Sequence, residues 1–426
     1  MSKKQTDALL QFLNRSPTAW HAIREVVSQL EAHGFVELKE GELWSLKAKG
    51  KYFVVRNGSS LCAFIVPSKT PLGARVVASH TDSPGFKLKP NAEFRKENMV
   101  MLGLEVYGGP LITSWLNRDL GIAGRISYLD KKSTIQEAIL TLDKNPVTIP
   151  QLAIHLDRKV NDEGLLLNKQ EQLAALACLT DEKDPVGYLE KLLQAQVSYK
   201  KLLSHDLFVY PLEPAAYVGE GQQLMAAYRI DSLNSVHAIV AAFEGTSADH
   251  EEIKVIALLD NEEIGSETAQ GAGSPFLTHT LERICLALKM GREEYLRFLS
   301  QSLCVSVDLA HALHPNYGDR HEPRHMVLMQ KGIAVKYNAQ KKYASDARSA
   351  AAIVALCHAN KIPVQHFASK GDILSGSTIG PIHAAVTGMA TVDIGYGQLS
   401  MHSCRELAAC QDYLDMTKLL VAYLGK

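Results

Sequence analysis

This chain of 426 residues reads as an α/β protein: a mostly parallel sheet with helices on both faces, interrupted by an inserted, mostly β domain. Three observations predict this. Runs such as ARVVASH, EIKVIALLD and CVSVDLA are apolar along their length and polar only at their ends, the pattern of strands buried on both faces. Helical segments alternate with such runs in the first and last parts of the chain. Between about residues 90 and 225 the alternation stops, and short β-like runs follow one another without crossover helices. A chain this long exceeds one ordinary core, so two domains are expected: 1–90 together with 225–426, and the insertion 91–224.

The elements follow in order. TAWHAIREVVSQLEAHG has apolar residues at helical spacing after Ser16-Pro17, with Gly34 as its stop. KYFVVRNG, LCAFIVPS and ARVVASH are strand-like. In the insertion, MLGLEVYGG, GIAGRISYL and LAIHL read as strands, and a charged helical stretch runs around EKDPVGYLEKLLQAQVSYKKLL. After Asp231 come LNSVHAIVAAFEG as helix, EIKVIALLD as strand, a helical stretch near 277–302, CVSVDLA as strand and ASDARSAAAIVALCHAN as helix. PVQHFAS and MATVDIG are strands, and a helix closes the chain.

With 46% hydrophobic and 21% charged residues, the composition is that of a folded globular protein. A net charge of −1 gives no reason to expect a nucleic-acid or anionic-membrane partner. No apolar run approaches the roughly 20 residues that span a bilayer. The opening MSKKQTDALLQFLN lacks a signal-peptide core, so cytoplasmic residence is expected. The seven cysteines are scattered and form no CxxC pair, which leaves histidines and carboxylates as the ligands for any metal.

Chemistry gathers where apolar runs end. ARVVAS leads into His80-Thr81-Asp82, AAYRI into Asp231, KVIALL into Asp260-Asn261-Glu262-Glu263, CVSV into Asp308, and DIGYGQLSM into His402. Singly, each such residue is more often a cap or a surface group, and HLD at 155–157 repeats the first triplet. As a set at one edge of a parallel sheet, where sites form, two histidines and three carboxylates suit a pair of borderline metals such as zinc bridged by one carboxylate. Asp82 is placed to accept a hydrogen bond from the His80 imidazole and fix its tautomer. On the acidic turn, Glu263 can bind metal while Glu262 stays unligated as a base.

SPTAWHA, ASHTDSPGFKLKP, RIDSLNS, DNEEIGS, VDLAHALHPNY, VKYNAQKKYAS, SGSTIGP and QLSMHSCRE occur in this order over most of the chain. With them the chain resembles the aspartyl aminopeptidase family of cocatalytic dizinc metallo-aminopeptidases. The resemblance implies a dizinc exopeptidase-like fold with an inserted dimerisation domain, and two divalent metal ions per subunit, zinc first, with cobalt or manganese as alternatives. His80, Asp231 and Asp308 would hold one ion, Asp231 would bridge to a second on Glu263 and His402, and Glu262 would be the general base. The substrate's free amine would sit among the carboxylates, so that short peptides lose one N-terminal residue at a time, with Asp or Glu preferred. The loop Gly371-Asp372-Ile373-Leu374 departs from the more polar family loop, which leaves neutral specificity open.

Among the remaining residues, His314 in HPNY matches a substrate-side histidine of the family, and Lys336 would neutralise an acidic substrate side chain if it is not a solvated strand-edge lysine. Tyr343 and Met401 are expected as pocket walls, with core packing as the plainer alternative. Gly376, Ser377, Thr378 and Gly380 would offer backbone donors to a tetrahedral intermediate, or form an ordinary tight turn. His321 and His325 read as surface histidines. By itself His155 could be a satisfied structural residue; the resemblance implies that it reaches the active site of a neighbouring subunit, within homodimers assembled into a symmetric dodecamer. A dimetal carboxypeptidase or deacylase, and a non-catalytic shell or cargo-binding protein, are the competing functions.

Overall fold

The computed structural model describes residues 2–181 and 187–425. The chain divides into two compact units, one made of the segment ending at Ser83, Ala215–Met401 and the segment beginning at Glu406, the other of Pro84–Pro214 with His402–Arg405.

In the first unit, the described residues form a sheet in the spatial order Val36–Glu37, Lys51–Arg56, Ser60–Ile65, Ile253–Leu259, Ala74–His80, Leu303–Val307, Ala390–Gly395, Ile333–Tyr337 and Val364–Ala368. Its four central strands, Ile253–Leu259 through Ala390–Gly395, are parallel. Lys51–Arg56 and Ser60–Ile65 form an antiparallel hairpin that turns through Asn57 and Gly58, both at positive φ. Successive side chains of a strand point to opposite faces, and the core divides accordingly. Ile256 and Leu258 join one cluster with Val77, Val305 and Val307; Val255, Ala257 and Leu259 join another with Val76 and Ala78.

Helices cover both faces. Ala22, Ile23, Val26 and Leu30 line one stripe of Ala19–Ala32 and pack in the first cluster with Leu233, Val236 and Val240 of Ile230–Glu244 and with Met416 and Leu420 of Cys410–Leu424. Phe276, Leu281 and Ile284 of Phe276–Ala287, with Tyr295 and Phe298 of Arg292–Ser300, fill the second. Each fully buried side chain of this kind contributes on the order of 1.5–3 kcal/mol. A smaller sheet in the same unit runs Ala216–Val218, Leu224–Ala227, Glu406–Ala409, Gly397–Leu399 and Ala310–His311.

The second unit holds an antiparallel sheet ordered Ile135–Val147, Leu120–Leu129, Lys201–Pro211, Gly85–Lys96, Met99–Tyr107 and Ala174–Leu179.

Three local expectations change. LAIHL is not a strand: Ile154–Leu156 form a turn, with the Leu156 N–H donating to the Ala153 carbonyl at 2.9 Å. Pro150, which has no N–H for a ladder, stands between this segment and the preceding strand. The stretch over 277–302 is two helices: the first ends at Ala287, with Lys289 at φ 63, and the second starts after Gly291, whose N–H donates to the Glu294 carboxylate at 2.5 Å. In the charged stretch, Tyr188–Gln196 is helical and Lys201–Pro211 is a strand, while 182–186 lie outside the described residues.

Gly395 ties the strand ends together. A Cβ there would lie 1.9 Å from the Asp308 carbonyl oxygen, whereas one at Gly376 would meet nothing within 4 Å. Gly395→Ala is expected to lower stability in urea by about 1–3 kcal/mol, the range for an overpacked core, and Gly376→Ala to leave it unchanged.

Candidate metal centre

His80 ends its strand in register with Leu259 of the neighbouring parallel strand, so the acidic turn beginning at Asp260 emerges beside it. Asp308 follows the strand Leu303–Val307 on the other side. Three adjacent parallel strands thus deliver an imidazole and five acids, Asp82, Asp260, Glu262, Glu263 and Asp308, to one carboxyl edge. Asp231 comes from the start of Ile230–Glu244, where its backbone is still non-helical, and a cis peptide bond joins it to Ser232.

His80 is the hub. Its Nε2 lies 3.2 Å from Asp231 Oδ1 and 3.5 Å from Asp308 Oδ1. Ligand atoms of His80, Asp231 and Glu263 all fall within 4.8 Å of one another. On the other side of the ring, Nδ1 is 3.1 Å from the Asp82 carbonyl oxygen and 3.5 Å from Asp82 Oδ1. The nearer acceptor is therefore the Asp82 main chain. The Asp82 carboxylate has further partners: Oδ1 accepts the Glu262 N–H and Oδ2 the Glu263 N–H, each at 3.1 Å. It clasps the acidic turn, a 3₁₀ turn over Glu262–Ile264 entered through Asn261 at φ 65.

Negative charge is in surplus here. Burial, and next the Asp231 and Glu262 charges, push the Glu263 carboxyl well above its ordinary range. Burial likewise lifts Glu262 to about 8, against the pull of His80 and with help from Asp308, Asp82 and Asp231. Burial would lower the His80 imidazole, but hydrogen bonds to Asp231, Asp308 and Asp82 raise it well above its usual value. Closely packed nitrogen and oxygen donors with uncompensated buried charge fit a divalent cation such as zinc.

Lys336 is not a solvated strand-edge residue. Its strand is paired on both sides, the residue is 2% exposed, and its Nζ donates to Asp308 Oδ2 at 3.2 Å and sits over the Tyr343 ring. Burial works against the ammonium, yet Asp308 raises its pKa. Asp308, which burial alone would raise, is held far below the usual carboxylate range by Lys336 and His80. Tyr343 packs in a small cluster with Ala310, Val327, Ala334 and Phe367, as its plainer reading anticipates.

His314, Gly376 and Met401 do share a cavity, of about 320 Å³, whose wall also includes His311, Arg320, His321, Glu322, His325, Phe367 and Lys370. Thr378 caps the helix Ile379–Thr387: its Oγ1 accepts the Gly380 N–H at 3.3 Å and donates to Asp393 Oδ1 at 2.7 Å. His402, at φ 65, is counted with the second unit, where its Nδ1 lies 3.1 Å from the Gly109 carbonyl oxygen. His155 is exposed in its turn beside Leu152, Ile154 and Leu156, which are 57%, 44% and 74% exposed.

Two residues near the centre were not legible as site residues. Arg229, 3% exposed and at φ 66, donates to the Ser16 and Thr81 carbonyls and to Ser83 Oγ. Glu406, 2% exposed, touches the main chain of Asp231. Both stand inside distinctive motifs, YRIDS and SCRE, but their partners lie far away in sequence.

Residues 12–424 match the family described as Aminopeptidase I zinc metalloprotease (M18). The chain belongs to the M18 aminopeptidases. It is 38% identical over 419 residues to a probable M18 family aminopeptidase 2 of Clostridium novyi (strain NT), covering 96% of each chain. Its fold superposes on a chain of the Ape4 and Nbr1 complex solved by cryo-EM, with a TM-score of 0.93, 30% identity and coverage of 99% and 86%. A chain of the S. cerevesiae mApe1 dodecamer gives 0.85, 27%, 99% and 96%. An M18 protein is a zinc metalloprotease acting as an aminopeptidase, which sets aside the carboxypeptidase, deacylase and non-catalytic readings. The mixed α/β architecture is that of these solved structures.

Two outcomes test the electrostatics. Asp82→Ala removes both acceptors from the acidic turn and should weaken zinc binding by about 10–100-fold, measured by competition with a chelator. The second concerns pH. A carboxyl raised from 4.5 to about 8 keeps its proton longer in the fold than in the unfolded chain. Its contribution to stability is therefore complete below 4.5 and lost as pH rises through 8. The urea midpoint of zinc-free protein should fall over that window, and Glu262→Gln should flatten the fall; an unchanged slope in the variant would place the titration elsewhere.

Proposed function

We propose that this protein is a dimetal aminopeptidase that removes single N-terminal residues, with Asp or Glu preferred, from short peptides. The observation that carries the reading is the acidic turn: Glu263 joins His80 and Asp231 within 4.8 Å, while Glu262 beside it is outside that group. Two adjacent carboxylates on one clasped turn can take different roles, one toward the metal and one toward the reacting water.

In this reading His80, Asp231 and Asp308 would hold one ion, and Asp231 with Glu263 a second. Zinc, when bound, supplies Lewis acidity that polarises a carbonyl oxygen and makes water a stronger nucleophile near neutral pH. Glu262 takes a proton from the attacking water and returns it to the departing amine. The carboxylates receive the free amine of the peptide, which restricts cleavage to the first residue. Lys336 keeps Asp308 ionised for its task. Support for acidic preference comes from the cavity wall, where Arg320, Lys370 and four histidines face one carboxylate, Glu322, whose Oε2 is 2.5 Å from His325 Nδ1. Phe367, Ile373 and Leu374 on the same wall suit a neutral side chain, the alternative specificity.

Assembly belongs to the same proposal. The exposed apolar tip around His155 suits a contact with a second copy, and a chain of similar fold forms a dodecamer. His155 would then complete a neighbouring subunit's pocket, with the antiparallel unit serving dimerisation, in a cytoplasmic homo-oligomer.

Glu262→Gln should retain zinc in elemental analysis yet lose on the order of 10²-fold or more in kcat, the cost of a missing general base. Glu263→Gln should lose metal first. Zinc loss from Glu262→Gln would reverse the two assignments. Aspartyl, glutamyl and leucyl chromogenic substrates compared by kcat/KM decide the preference. Mixed His155→Phe and Glu262→Gln subunits should regain activity if the histidine serves its neighbour; with subunit exchange shown by mass and no recovery, it does not.

A further inference from the structure

Glu406 opens the strand Glu406–Ala409 and stands opposite Ala227 in its antiparallel pairing with Leu224–Ala227. From Ala227 the chain passes through Arg229, at φ 66, to Asp231. That path brings the Asp231 N–H onto Glu406 Oε2 at 2.9 Å. The other carboxylate oxygen lies 3.4 Å from Gln398 Nε2, on the adjacent strand Gly397–Leu399. Glu406, Gln398 and Asp231 are only 2%, 1% and 4% exposed. Burying a carboxylate this deeply is costly unless its hydrogen bonds repay it.

We infer that Glu406 is a positioning residue for Asp231: gripping the peptide N–H fixes where the aspartate's side chain begins, and with it the approach of Asp231 Oδ1 to His80 Nε2 at 3.2 Å. The inference rests on the proposed role of Asp231 as a zinc ligand. Gln398 orients the carboxylate, and its own Oε1 has no hydrogen-bond partner among the described residues. That detail separates the two obvious variants. Glu406→Gln keeps an oxygen for the Asp231 N–H, and its amide donor is met by turning the Gln398 amide so that Oε1 accepts. Glu406→Leu offers neither group.

The test is the zinc dissociation constant of the full-length protein, measured by chelator competition. Glu406→Leu should weaken zinc by about 10–100-fold, as loss of a group supporting a ligand does, and Glu406→Gln should stay within about threefold of the parent. Combining Glu406→Leu with Asp231→Ala should add nothing to the loss caused by Asp231→Ala alone, because the first acts through the second. A general structural effect would add in full and would overturn the inference, as would parental affinity in Glu406→Leu. If Glu406→Leu does not fold, Gln398→Leu runs the same cycle, with a smaller loss expected and the same absence of further loss on Asp231→Ala; full addition, or no loss, overturns it. Parental zinc affinity in Asp231→Ala itself would show that the reading of Asp231, rather than that of Glu406, has failed.

Discussion

One carboxylate accepting two consecutive main-chain N–H groups is the constraint on which the acidic turn depends. Asp82 holds the Glu262 and Glu263 amides while its carbonyl oxygen faces His80 Nδ1. Residues from separate strands are thereby locked at fixed distances. A turn held only by its own short loop would leave those two amides free to shift with it. Asp82 removes that freedom using a charge-assisted bond, roughly twice the strength of a neutral one.

The sheet supplies the other half of the constraint. Parallel strands end at the same edge, so His80, Asp260 and Asp308 arrive together without any long loop to position them. Side chains on both faces of those strands are apolar and buried, which gives the edge a rigid footing. On it, the electrostatics resolve into two zones. Lys336 pairs with Asp308, whereas Glu262 and Glu263 form an excess of acids whose ionisation burial and the neighbouring carboxylates oppose. Membership of a zinc metalloprotease family gives that excess its physical sense: the acids are arranged for a cation.

Buried polar groups extend this support beyond the acids. Arg229 donates to main-chain carbonyls of Ser16 and Thr81, and Glu406 accepts from the main chain of Asp231. In each case a charged side chain grips a backbone group of another segment. Main-chain bonds of this kind fix Cα positions, and so they position functional side chains without touching the reacting atoms.

The sequence alone determined the α/β class and the mostly parallel character of the main sheet, because apolar runs with polar ends and helical periodicity are local signals. It also determined the cluster His80, Asp231, Glu263 and Asp308, because each stands where an apolar run ends and the motifs around them are distinctive. It misread LAIHL as a strand, since an apolar run with no partner strand looks the same in one dimension. Only the tertiary structure decided that Lys336 is a buried partner of Asp308, that Tyr343 is core, and that Asp82 spends its carboxylate on the acidic turn. Arg229 and Glu406 belong to the same group. Their roles rest on partners from tens to more than two hundred residues away, and no local pattern records which distant backbone group a buried charge will find.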